Sequence, residues 1–173
     1  YIRNSYNNFT TFAEDEYNYL EPWIQWTSVY LGKEFNDHKV FRLGDIANHP
    51  EQKQIFELRN THSYQVVTMF HVLEHLPDPL RVIKKVHKLL EDKGYLIIEV
   101  PNLESKSSSP FNHFFKAHIC YFTSLSLIDL LQDNFSVEYL ENEDVIFVVC
   151  QKSNVKKFKK PSNRNLLAVE LAN

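Results

Sequence analysis

Glycine is scarce in this chain. The 173 residues include three, Gly32, Gly44 and Gly94, and none falls among the first 31 positions. A loop that brings backbone close to a phosphate or nucleotide needs several glycines at fixed spacing after a strand, and no such run is present. Cysteine is equally sparse. Cys120 and Cys150 stand apart with no CxxC pair, which argues against a disulfide framework or a cysteine-rich zinc site and points to a reducing, cytoplasmic setting. Long apolar runs are missing too. The longest, Val145–Cys150, has six residues against the roughly 20 of a membrane-crossing helix, so no membrane partner is expected, and no signal peptide is visible. No sign of charge dominates either. A net charge of -3 gives no general pull toward nucleic acid, and the basic cluster Lys156, Lys157, Lys159 and Lys160 reads as a solvated tail.

Hydrophobic residues make up 43% and charged residues 24%, enough apolar material for one globular domain with a sizeable core. Residues 64–70 form a mostly apolar run rich in β-formers and predict a buried strand. Asp78 and Pro79 supply an N-cap and a first helical position. In the helix that follows, Val82, Ile83, Val86, Leu89 and Leu90 share one face, while Arg81, Lys84, Lys85 and Lys88 share the other. Gly94 is expected to end that helix and turn the chain, and Tyr95 to Val100 predicts a second buried strand. A strand–helix–strand unit of this kind implies parallel strands.

A weaker unit precedes it: a short strand at 17–20, a helix from Pro22 to about Glu34, and a strand at 39–43. After a long Ser-containing connection over 102–122, a short helix is expected at 124–131. Two strands at 136–140 and 145–151 then pair as an antiparallel hairpin. The fold class expected is α/β, a doubly wound, mostly parallel sheet closed by that hairpin. Residues 1–152 form the domain and 153–173 a basic polar tail with a possible short helix at 166–171.

In open α/β sheets ligands bind outside the carboxyl ends of the strands. After the strand at 17–20 come Glu21 and Pro22; a carboxylate there suits ribose hydroxyls, or simply favours a helix N-terminus. After the strand at 39–43 come Gly44, Asp45 and Ile46; Asp45 suits an exocyclic amine, or simply a turn. After the strand at 64–70 stands His71-Val-Leu-Glu74-His75, three ionisable side chains in five positions.

Phe70 to Pro79, FHVLEHLPDP, resembles the segment after the fourth strand of class I S-adenosylmethionine-dependent methyltransferases. The similarity continues through GYLIIEVPN at 94–102 and H-x-x-Y-F-T at 118–123, and covers roughly residues 15–152. The resemblance implies S-adenosylmethionine as cofactor and methyl transfer to a small-molecule acceptor, the acceptor atom being left open. It implies Glu21 and Pro22 at the ribose, Asp45 and Ile46 at the adenine, Phe70 and His71 at the methionine portion, and His75 and His118 facing the substrate as catalytic bases. It also implies a first strand and a G-x-G-x-G turn before Glu21. Twenty residues lie there, none of them glycine, so a Rossmann-like domain incomplete at its N-terminus is expected.

No metal is assigned in this reading. An alternative is kept because some small-RNA and quinone-pathway methyltransferases carry a related Glu-x-x-Glu-His cluster, matched here by His71-x-x-Glu74-His75 with a later His118. A second alternative is an inactive, methyltransferase-like binding or interaction module. A nicotinamide-dependent dehydrogenase would also require a glycine fingerprint and leaves FHVLEH unexplained.

Overall fold

The computed structural model describes residues 15–43, 55–56, 58, 62–106 and 116–153, with side chains from Trp23 onward. The chain divides into two units, Tyr1–Phe35 and Asn36–Asn173. In the first, helix α1 spans Asp15–Leu31. Aromatic residues at helical spacing meet along it: the Trp23 and Trp26 rings lie edge-on at 6.3 Å, and Trp26 stacks on Tyr30 at 5.1 Å. Such i,i+3 and i,i+4 contacts are available only in a helix. Gly32, at φ 60, closes α1. Its amide donates to Val29 O and that of Lys33 to Ser28 O, the paired bonds of a left-handed helix stop.

This corrects the sequence reading of 17–20 as a strand. The period-3.6 aromatic spacing begun before Pro22 outweighs four residues of β-propensity. Glu21 and Pro22 therefore lie within α1, not at a strand's carboxyl end.

The second unit is built on a five-stranded sheet: β1 (Val40–Leu43), β2 (Tyr64–Phe70), β3 (Leu90–Pro101), β4 (Phe135–Asn142) and β5 (Val145–Lys152). The spatial order is β1-β2-β3-β5-β4. β1, β2 and β3 run parallel, while β5 is antiparallel to both β3 and β4. The doubly wound type with a terminal hairpin is thus borne out. Runs of consecutive buried residues in β2, β3 and β5 mean that both faces of the central strands are covered.

Helix α2 (Pro79–Leu89) follows the sequence expectation. The Asp78 carboxylate accepts from Arg81 N at 3.0 Å, and Val82, Ile83, Val86 and Leu89 are buried. They join one core with Leu43, Val67, Met69, Leu96, Ile98 and Val148 from the sheet and Leu127 and Leu131 from helix α3 (Ser124–Leu131). Each such side chain contributes about 1.5–3 kcal/mol by leaving water.

Gly94 does not end α2. The helix stops at Leu89, and β3 begins at once with an irregular stretch: Tyr64 pairs with Leu90, but Val66 pairs with Tyr95. Lys93 takes the left-handed turn, at φ 63. Gly94 is needed for close approach instead. A Cβ there would sit 3.0 Å from Glu91 O and 3.2 Å from Gln65 O, tighter than a side chain tolerates without local rearrangement. The expected helix at 166–171 lies outside the described residues.

Candidate functional site

The carboxyl ends of β2 and β3 lie side by side, Phe70 being in register with Glu99. Phe70 is buried and packs against Phe147, with ring centroids 6.3 Å apart. The chain then turns sharply at His71, which adopts φ 51. A left-handed backbone at a residue with a bulky side chain is strained, and here it is held by the bond from His71 N to Glu99 O at 2.9 Å. A single 3-10 turn, Leu73–His75, places Glu74 and His75 directly behind it.

Two further segments close the site. The Glu74 carbonyl accepts from Ile119 N at 2.8 Å and Cys120 N at 2.9 Å, fixing the strip that carries His118. Asn102, just past β3, secures the strip's far end. It forms a parallel bridge with Phe122, and Leu103 N donates to Phe122 O. Asn102 Nδ2 also donates to Glu143 O at 2.7 Å, tying the β4–β5 turn to the same point.

Glu74 is the centre of the arrangement. Its side chain is 1% exposed. Three imidazoles surround it: His71 Nδ1 at 3.3 Å, His75 Nε2 at 3.9 Å and His118 Nε2 at 3.9 Å, all measured to Oε1. His71 Nε2 also lies 3.0 Å from Glu99 Oε1, so this ring bridges two buried carboxylates. Burial works against the imidazolium, but hydrogen bonding and attraction from Glu74 and Glu99 outweigh it and hold His71 up at about 10. His71 is therefore a cation at neutral pH.

His118 is shifted the other way. Burial lowers its pKa; Glu74 opposes this, and the neighbouring His75 and His71 add to it. It stays neutral near pH 7. His75 Nδ1 lies 3.0 Å from Ala117 O. A carbonyl only accepts, so Nδ1 carries a proton in this contact and Nε2 is left facing Glu74. The His75 and His118 rings meet edge-on at 4.9 Å. One atom each from Glu74, His75 and His118 fall within 4.8 Å of one another.

Of the residues singled out in sequence, Phe70, His71, His75 and His118 are thus brought together. Glu21 and Pro22 sit on α1 in the other unit, with side chains outside the described set, and Asp45 and Ile46 also lie outside the described residues. Glu99 was missed, although an acidic residue inside the apolar run YLIIEV was a visible signal. Glu74 was seen only as part of a cluster.

A mixed sheet whose parallel strands end on a turn of histidines and buried carboxylates defines an α/β domain with a candidate site at the strand ends. The family model for a methyltransferase domain matches residues 8–138, and the chain belongs to that family. A ubiquinone biosynthesis O-methyltransferase of Vibrio cholerae is 44% identical over 48 residues, 28% of this chain and 20% of that protein. An Aliivibrio fischeri protein of the same description is 40% identical over a segment of equal length. The matched segment thus spans about a fifth of these relatives' length. Among solved structures, 1,6-didemethyltoxoflavin-N1-methyltransferase of Burkholderia thailandensis superposes with a TM-score of 0.54 at 15% identity, covering 80% of this chain and 84% of that one. This likeness is one of fold.

Proposed function

We propose that the chain is an S-adenosylmethionine-dependent methyltransferase domain acting on a small-molecule acceptor. The observation that carries the reading is the placement of the His75 and His118 imidazoles beside the buried Glu74 side chain at the end of a parallel strand. Membership of the methyltransferase-domain family supports it, as does the cofactor product S-adenosylhomocysteine bound in the Burkholderia relative.

The turn at Phe70 and His71 fits the amino-acid end of such a cofactor. Both nitrogens of the His71 imidazolium face Glu74 and Glu99, so its part would be to hold those two carboxylates in place at that end. S-adenosylmethionine supplies a methyl group already activated on sulfonium sulfur. The protein's task is then to place the acceptor in line and remove its proton. His75 Nε2 or the His118 imidazole would take the proton from an acceptor hydroxyl placed in line with that methyl. Glu74 steadies the imidazolium so produced. The test is transfer of labelled methyl from S-adenosylmethionine to a panel of hydroxylated small molecules. H75A/H118A is expected to lose transfer by the 10²–10⁴-fold typical of a positioned base; full activity in the double variant would refute the assignment. A cytoplasmic setting goes with this reading. No described helix is long and apolar enough to cross a membrane.

A second reading is favoured by Glu74 itself. Its carboxylate is buried, and the His75 and His118 imidazoles close beside it complete a ligand set suited to a divalent transition metal. Such an ion would replace proton removal by lowering the pKa of the acceptor hydroxyl. Metal analysis of the purified protein and the effect of a chelator on transfer separate the two. Bound metal and chelator-sensitive activity support the ion, and activity unchanged without metal supports the bases alone.

A further inference from the structure

The outer face of α2 carries Arg81, Lys84, Lys85 and Lys88, at positions i, i+3, i+4 and i+7 of one stripe. The helix, PLRVIKKVHKL, contains no acidic residue. Like charges at i,i+4 oppose helix formation, and this stripe holds two such pairs, Arg81–Lys85 and Lys84–Lys88. The concentration of positive charge is local, since the whole chain is net negative at -3.

These four side chains line a shallow groove of about 380 Å³, together with Phe56, Asp78 and Leu80. The Arg81 guanidinium lies over the Phe56 ring at 4.5 Å, and Lys85 Nζ donates to Leu58 O. Among the described residues lining the groove Asp78 is the single acid, and its carboxylate already caps the helix. Leu80, at the N-terminal end of the stripe, is 40% exposed.

We infer that this face of α2 docks on an anionic phospholipid surface. Seven positions of helix span about 10 Å, so the stripe presents several cations in a row on an open face, as a layer of lipid phosphates requires. Among the described residues the groove has no buried polar side chain that would hold a single small anion. Leu80, 40% exposed, supplies apolar contact that enters a headgroup layer, whereas a nucleic-acid backbone offers no such layer. Peripheral contact of this kind revises the expectation of no membrane partner while leaving the absence of an apolar span intact. It goes beyond methyl transfer and does not depend on it.

The test is co-sedimentation of the full chain with phosphatidylcholine vesicles, with and without phosphatidylglycerol, and anisotropy of a labelled DNA duplex alongside. Arg81, Lys84 and Lys88 are exposed, so K84Q/K88Q is expected to keep its fold, checked by circular dichroism. The expected result is binding to the phosphatidylglycerol vesicles alone, weakened by salt and reduced about fivefold per cation removed, or roughly 25-fold in the double variant. L80A should weaken it further. Three results overturn the proposal: no binding to anionic vesicles, binding unchanged in K84Q/K88Q (which would place it on the basic cluster at 156–160), or DNA binding that is tighter and lost in the same variant.

Discussion

Replacing Glu99 by Gln isolates the feature on which the electrostatics of the site depend. In the native chain His71 lies 3.0 Å from Glu99 and 3.3 Å from Glu74, and the two carboxylates together raise its pKa from 6.5 to about 10 against the opposing effect of burial. A single opposite charge at this range shifts a pKa by about 1–3 units. E99Q keeps the side chain's size and one acceptor oxygen for His71 while removing the charge, so His71 should titrate about 1–3 units lower. Each unit of a fully buried group corresponds to about 1.36 kcal/mol. The His71 side chain is 44% exposed, so solvent screening reduces the expected loss of stability to about 1 kcal/mol. The assay is NMR titration of the imidazole carbon and nitrogen shifts in both proteins, with urea denaturation alongside. The reasoning fails if His71 titrates near 6.5 in the native chain, or if E99Q leaves its titration unmoved.

The same shift makes a statement about stability. A pKa raised on folding adds stability that is fully present below the unfolded value of about 6.5 and is lost as pH rises through about 10, so denaturation midpoints should fall across that window, and less so in E99Q. His118 is shifted downward, so a base role keeps kcat/KM for methyl transfer high to a more acidic pH than an ordinary imidazole would; a decline that begins well above pH 6.5 would contradict it. L96A removes a fully buried side chain from the centre of the sheet and should cost about 2–5 kcal/mol in urea denaturation. T123A breaks the reciprocal cap in which Thr123 Oγ1 accepts from Ser126 N and Ser126 Oγ from Thr123 N; the loss should be about 1 kcal/mol, with α3 fraying first by hydrogen exchange. Burial pushes the Cys150 thiol well up and, to a lesser degree, that of Cys120, so a thiol reagent at neutral pH should label the partly exposed Cys120 slowly and leave Cys150 intact until the protein unfolds.

The parts of the fold legible in sequence are those where local chemistry and tertiary packing agree. β2 carries a dense run of β-formers, α2 has both a cap and an apolar face, and the hairpin has a polar link. β2, the cap and buried face of α2 and the antiparallel pairing stand as read, but β4 runs on through Asn142 and narrows the link to Glu143 and Asp144. The first strand was misread because four residues, 17–20, were weighed without the aromatic spacing that continues through Trp23, Trp26 and Tyr30. Gly94 was misplaced because glycine marks a close approach as readily as a helix end. In the site, FHVLEH was recognisable as a cluster, yet neither the burial of Glu74 nor the bridging of His71 could be read from spacing. Both depend on β3 lying parallel beside β2, which brings Glu99 to the same edge from 28 residues away. The approach of His118 depends likewise on the Glu74 carbonyl clamping residues 119 and 120.

The central claim is that methyl-transfer chemistry sits at the ends of β2 and β3. It is tested most directly by titrating S-adenosylmethionine into the protein while following the imidazole NMR signals of His71, His75 and His118. The account predicts saturable binding that shifts these three signals and leaves His38, on the exposed turn before β1, unmoved. No binding, or binding that leaves the three histidines unperturbed, would contradict it.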